Sequence, residues 1–246
     1  MTDAIDDATH ALGTTLAVWA HPDDETYLSG AVLARLRDRG ERVVCVTATR
    51  GEAADPDATD AERAALAALR TTELEAAAAI LGIEEHVWLD LPDGGCADLD
   101  PGPVVARLVE IADDVRPRTI LTFGPDGITG HPDHCTVSAW VSAAAPRMAS
   151  RPRVLHSAFT PQEMETFRDI NEGYAIYTHG RPRLCTPDEL VVYLDIEGEE
   201  RERKVAALLA QASQTSGLVD AVGRERYAAW VAREGFADPL DPGPVS

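Results

Sequence analysis

A cluster of chemically active side chains ends an apolar segment near the start of the chain. The apolar segment begins at Thr14 and runs into His-Pro-Asp-Asp-Glu, residues 21–25. His21 and Asp24 are three positions apart, so both side chains can converge on one point if the residues between them form a tight turn. This arrangement leaves Asp23 free to move a proton. Adjacent carboxylates repel one another unless a cation lies among them, so the segment predicts two ligands of a divalent metal ion.

A second segment repeats this construction. Gly-His-Pro-Asp-His, residues 130–134, follows the apolar run 119–123 through a loop rich in Gly, Pro and Asp, and a helical pattern begins there. His131 and His134 are three positions apart, so they face the same side of the helix. A catalytic zinc ion takes three protein ligands and keeps a fourth position open. Either histidine can therefore complete the metal site begun by the first segment.

A simpler explanation is available for the first segment alone. Acidic residues in the first turn of a helix stabilise the helix N-terminus, and Asp23, Asp24 and Glu25 precede a helical pattern that starts at Thr26. That explanation gives no role to the second segment. Two matched segments at the ends of two predicted strands therefore favour a metal site.

Together the two segments, residues 20–25 and 130–134, resemble the zinc-dependent de-N-acetylases of the PIG-L or LmbE-like family. The resemblance is strongest from Thr14 to about Ala144. It implies a zinc site of one ion per chain, formed by His21, Asp24 and His134, to which Fe²⁺ can also bind. It also implies three catalytic residues: Asp23 as general base, His131 as an acid or electrostatic group, and Asp133 as the residue that orients the His131 ring.

The resemblance also implies a set of substrate-binding residues, which are Glu52, Arg70, Asp93 and Thr129. Arg70 lies in an Arg-x-x-Glu segment and would offer hydrogen-bond donors to sugar hydroxyls. The open alternative is that Arg70 pairs with Glu73 or Glu75 on the surface of its helix. Members of the mycothiol pathway carry a tyrosine where this chain has Thr129, so the chain departs from that subgroup.

The fold follows from the alternation of apolar runs with helical patterns. Short strands are predicted at residues 14–19, 43–47, 87–89 and 119–123, with helices between them. Such alternation is typical of βαβ units, so we expect an α/β fold: a Rossmann-like, mainly parallel sheet sandwiched by helices. No Gly-x-Gly-x-x-Gly follows the first strand, which disfavours a dinucleotide.

We expect a polar tail at residues 1–12 and a single catalytic domain at 13–246, with its core at 13–150 and a substrate-side region at 151–246. Further strands are predicted near 154–155 and 190–194, and a C-terminal helix near Arg224 to Arg233. The irregular region 161–187 is expected to determine specificity, with His179 and Arg183 at the substrate entrance.

Composition limits the classes of partner. The chain has 22 basic and 42 acidic residues and a net charge of −20, which argues against binding to nucleic acid or to an anionic membrane. The four cysteines form no Cys-x-x-Cys pair, and no secretory signal or membrane-length apolar run is apparent. We therefore expect a cytoplasmic protein with reduced cysteines; its oligomeric state, including a homo-oligomer, stays open.

These observations predict a metal-dependent hydrolase that removes an N-acetyl or other N-acyl group from an amino-sugar-containing small molecule or glycoconjugate. Acetate and a free amine would be the products. The first alternative is an amidase acting on a larger amide, such as a thiol-sugar conjugate. A phosphoester hydrolase is less favoured because few arginines lie near the two segments, and a sugar-binding or metal-storage protein would not need Asp23 and His131.

Overall fold

A computed structural model describes residues 9–239. Its strands are β1 Thr15–Trp19, β2 Val43–Thr49, β3 Glu85–Leu91, β4 Thr119–Thr122, β5 Arg153–Ser157, β6 Val192–Asp195 and β7 Arg233–Ala237. Its α-helices are α1 Asp24–Asp38, α2 Asp60–Leu81, α3 Pro101–Val115, α4 Gly127–Gly130, α5 Pro132–Ala144, α6 Pro161–Thr166, α7 Arg168–Gly173, α8 Gly198–Ala210, α9 Ala212–Val222 and α10 Arg224–Trp230. Short 3-10 helices lie at Cys96–Asp98, Ala145–Arg147 and Pro187–Glu189.

The strands form one sheet in the order β3-β2-β1-β4-β5-β7-β6. The first five strands in this order run parallel to one another, and β7 runs antiparallel to β5 and β6. Every residue of β1 and β2 is buried, which explains why both strands read as unbroken apolar runs rather than alternating ones. The predicted α/β fold with a mainly parallel sheet is confirmed.

The strand order places the two motif segments together. Strand β1 pairs with β2 on one side and with β4 on the other. Successive strands are therefore added on one side of β1 up to β3 and on its other side from β4 onward. Because β1 and β4 are parallel, with Thr15 beside Thr119, their carboxyl ends lie at the same edge. In open α/β sheets this edge forms the ligand-binding crevice.

The predicted polar tail is only partly described. Residues 1–8 lie outside the described range, whereas residues 9–12 are part of the folded structure: Leu12 is buried in the core, and its carbonyl accepts a hydrogen bond from Thr119 Oγ1 at 2.8 Å.

The C-terminal part of the chain differs from the prediction. The last predicted helix ends at Trp230, and Arg233–Ala237 is instead strand β7, inserted between β5 and β6. Glu234 makes a strand hard to recognise in the sequence because a charged residue is seldom fully buried. It is buried here because the ammonium group of Lys204 lies 2.7 Å from its carboxylate.

His86 on β3 predicts a pH dependence of stability. Burial, and then the charge of Arg50, lower the pKa of His86 to about 4, whereas an unfolded histidine titrates near 6.5. The unfolded chain therefore binds more protons between these values, so His86 stabilises the fold fully above pH 6.5 and loses this contribution as pH falls toward 4.

We expect this contribution to fall by about 1 kcal/mol between pH 7.5 and pH 5, a value reduced for the partial exposure of the ring. Urea unfolding of wild type and His86→Gln at the two pH values measures it, because the difference between the proteins isolates His86 from other titrating groups. An equal pH dependence in both proteins would contradict the assignment.

Candidate metal centre

Three side chains from the two motif segments converge at the crevice. His21 follows β1, Asp24 opens α1, and His134 lies in the first turn of α5. His21 Nδ1 lies 3.0 Å from His134 Nε2 and 3.7 Å from Asp24 Oδ2, and His134 Nε2 lies 3.6 Å from Asp24 Oδ1. Ligand atoms of a tetrahedral zinc ion, with bonds of about 2.0–2.1 Å, are roughly 3.3 Å apart. The three residues therefore fit the predicted set of metal ligands.

The hydrogen bonds of the two rings assign their protons. His21 Nε2 lies 3.1 Å from Asp93 Oδ1 and 3.3 Å from Asp133 Oδ2, so it carries a proton. His134 Nδ1 donates to the Gly127 carbonyl at 2.9 Å. A raised pKa keeps a second proton on His21 when no metal is bound, and this proton lies on Nδ1, between the two nitrogens that face each other at 3.0 Å. A metal ion would take the place of this proton, and the hydrogen bonds on the far sides orient both rings for it.

Electrostatics also favour a positive charge here. Burial alone would lower the pKa of His21, but the hydrogen bonds to Asp133 and Asp93 and the charge of Asp24 outweigh it and raise the pKa to about 10. The same carboxylates that hold a proton on His21 would stabilise a metal ion bound at Nδ1.

Two further groups have ligand atoms within 4.8 Å of one another: His21 with His131 and His134, and His21 with Asp93 and Asp133. In the group with Asp93 and Asp133 the carboxylates already accept backbone hydrogen bonds: Asp133 from the amides of Gly94 and Cys96 at 2.8 and 3.1 Å, and Asp93 from the amide of Ala53 at 2.7 Å. The role of these two carboxylates is therefore to hold the His21 ring, which leaves Nδ1 on the opposite side of that ring for the predicted metal ion.

This arrangement corrects the prediction that the carboxylate of Asp133 orients His131. In the described part of the chain, no hydrogen bond joins this carboxylate to the His131 ring. The backbone amide of Asp133 instead donates to His131 Nδ1 at 3.2 Å, which leaves the proton of a neutral ring on Nε2. Burial and the charge of His21 lower the pKa of His131. The lowered pKa favours a neutral His131 ring, which still has one N–H to donate, over the predicted acid.

Asp23 occupies a strained turn beside the metal ligands. Its φ of 107° is unusual for a residue with a side chain, and such strain is found most often at functional sites. Burial raises the pKa of Asp23 to about 8; Arg70 opposes this shift, while Asp24 and Glu25 add to it. A carboxylate with a pKa near neutrality is suited to accept and return a proton.

Arg70 is positioned differently from the prediction that it binds sugar hydroxyls. It is only 5% exposed, and its guanidinium donates to the carbonyls of Gly51 and Pro22 at 2.9 and 2.5 Å. Its Nη2 also lies 3.5 Å from Asp23 Oδ2. Arg70 therefore holds the backbone around Asp23. The alternative pairing with Glu73 is also wrong, because that carboxylate accepts from Ser213 instead.

A Cβ atom at Gly51, which has a φ of 67°, would lie 2.1 Å from Arg70 Nη1. The backbone approaches the guanidinium this closely only because the residue is glycine.

The other predicted substrate-binding residues lie around the site. Asp93 contacts His21, as described above, and despite its burial this contact lowers the pKa of Asp93 to about 2. Glu52 accepts a hydrogen bond from the Asp93 amide at 3.1 Å, while its buried Oε2 has no partner among residues 9–239. Thr129 accepts from the His131 amide at 3.4 Å and lines a cavity beside the metal ligands.

Sequence reasoning did not identify this cavity, which has a volume of about 460 Å³. Its walls come from the C-terminal half of the chain as well as from the motif segments, so no local signal reveals it. Region 161–187 contributes Tyr174, Ile176 and Tyr177 to the lining. His179 lies edge-on to His131 with ring centroids 5.8 Å apart, whereas Arg183 donates to the Asp238 carbonyl and does not line the cavity.

A family profile described as "PIG-L: GlcNAc-PI de-N-acetylase" matches residues 16–145. The 1D-myo-inositol 2-acetamido-2-deoxy-alpha-D-glucopyranoside deacetylase of Mycobacterium sp. (strain JLS) is 32% identical over 82% of this chain and 74% of its own length. The protein of the same name from Kineococcus radiotolerans is 38% identical over 52% of this chain, and the match spans 45% of that protein.

Among solved structures, N,N'-diacetylchitobiose deacetylase from Pyrococcus horikoshii superposes with a TM-score of 0.60 at 20% identity, covering 91% of this chain and 82% of that one. This likeness shows the fold alone. Within residues 9–239, no helix is long and apolar enough to cross a membrane.

Proposed function

The chain belongs to the PIG-L family, and we propose on this basis that it is a metal-dependent hydrolase that removes an N-acetyl group from an amino-sugar-containing small molecule. Acetate and a free amine are the products. The observation that carries the proposal is the convergence of His21, Asp24 and His134 beside Asp23. The relatives named as deacetylases of a glucosamine-inositol compound support the reaction class.

We propose Zn²⁺ as the metal, one ion per chain. Two imidazoles and one carboxylate form a ligand set typical of catalytic zinc, and the same set binds Fe²⁺. When bound, the ion supplies Lewis acidity and lowers the pKa of water.

The chain's own residues then move the protons. Asp23 accepts a proton from the attacking water and returns it to the departing amine, and its raised pKa suits both steps. Arg70 keeps the Asp23 turn in place by donating to the Pro22 carbonyl, and its own position is fixed by the Gly51 carbonyl of a neighbouring loop. His131 donates from Nε2 to the oxygen that becomes negative in the transition state, a contact typically worth about 3 kcal/mol.

The net charge of −20 supports a small-molecule substrate rather than nucleic acid or an anionic surface. Four cysteines without disulfides are consistent with a reducing, cytoplasmic compartment, which we also propose.

Elemental analysis and acetate release test the proposal together. We expect about one zinc ion per wild-type chain, acetate release from N-acetylglucosamine derivatives, and the loss of both in His134→Ala, because two ligands hold a catalytic ion too weakly. His10→Ala, which removes an exposed histidine elsewhere, serves as the matched control.

Retention of zinc by His134→Ala would contradict the ligand assignment. A zinc-loaded wild type that releases no acetate from any of these compounds would contradict the deacetylase reaction.

A further inference from the structure

The cavity beside the metal ligands is larger than an acetyl group requires. Asp24 and His134 form part of its lining, and its volume of about 460 Å³ lies in the range that buries a drug-sized ligand. Apolar and aromatic side chains dominate the remaining wall: Tyr27, Leu28, Ile128, Phe159, Leu218 and Trp230. An amide bound at the metal ligands would therefore border an apolar space.

The polar tips of two aromatic wall residues, Tyr27 and Trp230, are already bonded elsewhere. Tyr27 Oη lies 2.7 Å from Tyr227 Oη, and Trp230 Nε1 donates to Asn171 Oδ1 at 3.1 Å. The Tyr27 and Trp230 rings also pack edge to face with centroids 5.8 Å apart. These contacts fix the rings and leave their apolar surfaces for a ligand, so this wall of the cavity is preorganised.

Four of the charged residues around the metal ligands lie outside this cavity. Asp23, Glu52, Arg70 and Asp93 are absent from the cavity lining. Apart from the two metal ligands and the tyrosines, the polar residues that line the cavity are Thr129, Gln214 and Arg233. A polyhydroxylated group such as inositol would leave most of its hydroxyls without partners there, at a cost in desolvation.

We propose that this cavity is a hydrophobic subsite and that the substrate carries a hydrocarbon or aromatic substituent within a few bonds of the scissile amide. The inference rests on the proposed deacylation and names its substrate class, an amphiphilic N-acyl amino sugar. The substituent is either an aglycone on the glycosidic oxygen or a longer acyl chain on the nitrogen. Both would present the same apolar chemistry to the cavity.

Two matched substrate series test the proposal and distinguish these sources. One compares methyl with hexyl glycosides of N-acetylglucosamine, and the other compares N-acetyl with N-hexanoyl glucosamine methyl glycoside; kcat/KM is measured by release of the free amine. Each buried methylene favours the longer compound about fourfold, so three buried methylenes give a ratio of about 60. This ratio in either series supports the subsite. The series that shows it identifies whether the aglycone or the acyl chain occupies the cavity.

Leu218→Asn makes the wall polar and is expected to bring the ratio in that series close to one. Leu69→Asn, the same change at a 48% exposed position of α2, is expected to leave the ratio unchanged. Hydrolysis of the methyl glycoside with no preference for the longer chain in either series would overturn the subsite and leave the proposed function intact.

If no compound is hydrolysed, the proposed function fails. Binding of the hexyl and methyl glycosides, followed by intrinsic tryptophan fluorescence, then tests the cavity directly. A hexyl glycoside that binds about 60-fold more tightly supports the subsite, and equal affinities overturn it.

Discussion

Replacing Asp23 with asparagine is expected to lower kcat by roughly 10²- to 10⁴-fold while zinc content stays at the wild-type level. Asparagine has nearly the same shape and tolerates a positive φ better than most residues, so it can keep the turn in which Asp23 has a φ of 107°. It has no carboxylate to accept a proton. The expected loss is therefore that of a general base rather than of a ligand.

The value of kcat is measured by acetate release at saturating substrate. The zinc content of the same preparation is measured by elemental analysis. Asp57→Asn makes the same chemical change on an exposed loop and should alter neither. Near wild-type turnover of Asp23→Asn would rule out the general-base role, whereas loss of zinc would make Asp23 a ligand.

The second large effect is a loss of folding stability when the buried ion pair of Lys204 and Glu234 is broken. Lys204, the only lysine of the chain, is 1% exposed, and its ammonium group lies 2.7 Å from Glu234 and donates to the Tyr27 carbonyl at 2.8 Å. The Glu234 carboxylate also accepts from the amides of Ala31 and Val32, each at 2.8 Å. This buried ion pair therefore joins α8 and β7 to one turn of α1, the helix that begins with Asp24.

Lys204→Met is expected to lower the free energy of unfolding by about 3–5 kcal/mol, because it leaves the buried Glu234 carboxylate without a counter-charge. Adding Glu234→Gln removes that charge and should recover part of the loss. Urea unfolding at constant pH and metal concentration measures both variants. Arg168→Met removes the cation of an exposed ion pair with Glu165 and should cost at most about 1 kcal/mol.

A cost below about 1 kcal/mol for Lys204→Met would show that the buried pair does not stabilise the fold. A double variant less stable than Lys204→Met would show that the uncompensated charge is not the cause.

The sequence was informative about the position of the site because the hydrophobic pattern predicts strands and parallel strands end at one edge of a sheet. Unbroken apolar runs at β1 and β4 predicted parallel strands, and parallel strands end at a common edge. Residues directly after those strands, such as His21 and Asp24, must therefore be close to residues 130–134. The convergence of His21, Asp24 and His134 agrees with this reasoning.

The spacing of residues along the chain was less informative about which groups a side chain hydrogen-bonds. The sequence predicts that Asp133 bonds its neighbour His131. It predicts that Arg70 bonds either the substrate or a glutamate of its own helix. The structure instead pairs them with His21 and with the backbone around Asp23. A carboxylate or guanidinium bonds the nearest complementary group in space, and loops that are distant in sequence supply that group.

The sequence by itself determined the α/β architecture, and it predicted which residues hold a metal ion and move a proton. Only the tertiary structure decided that Arg233–Ala237 is a strand, that Asp133 supports His21, and that an apolar cavity adjoins Asp24 and His134. The physical reason is that hydrophobic periodicity is a local property of the chain. The burial of Glu234 beside Lys204 and the shape of a cavity depend on contacts between segments far apart in sequence.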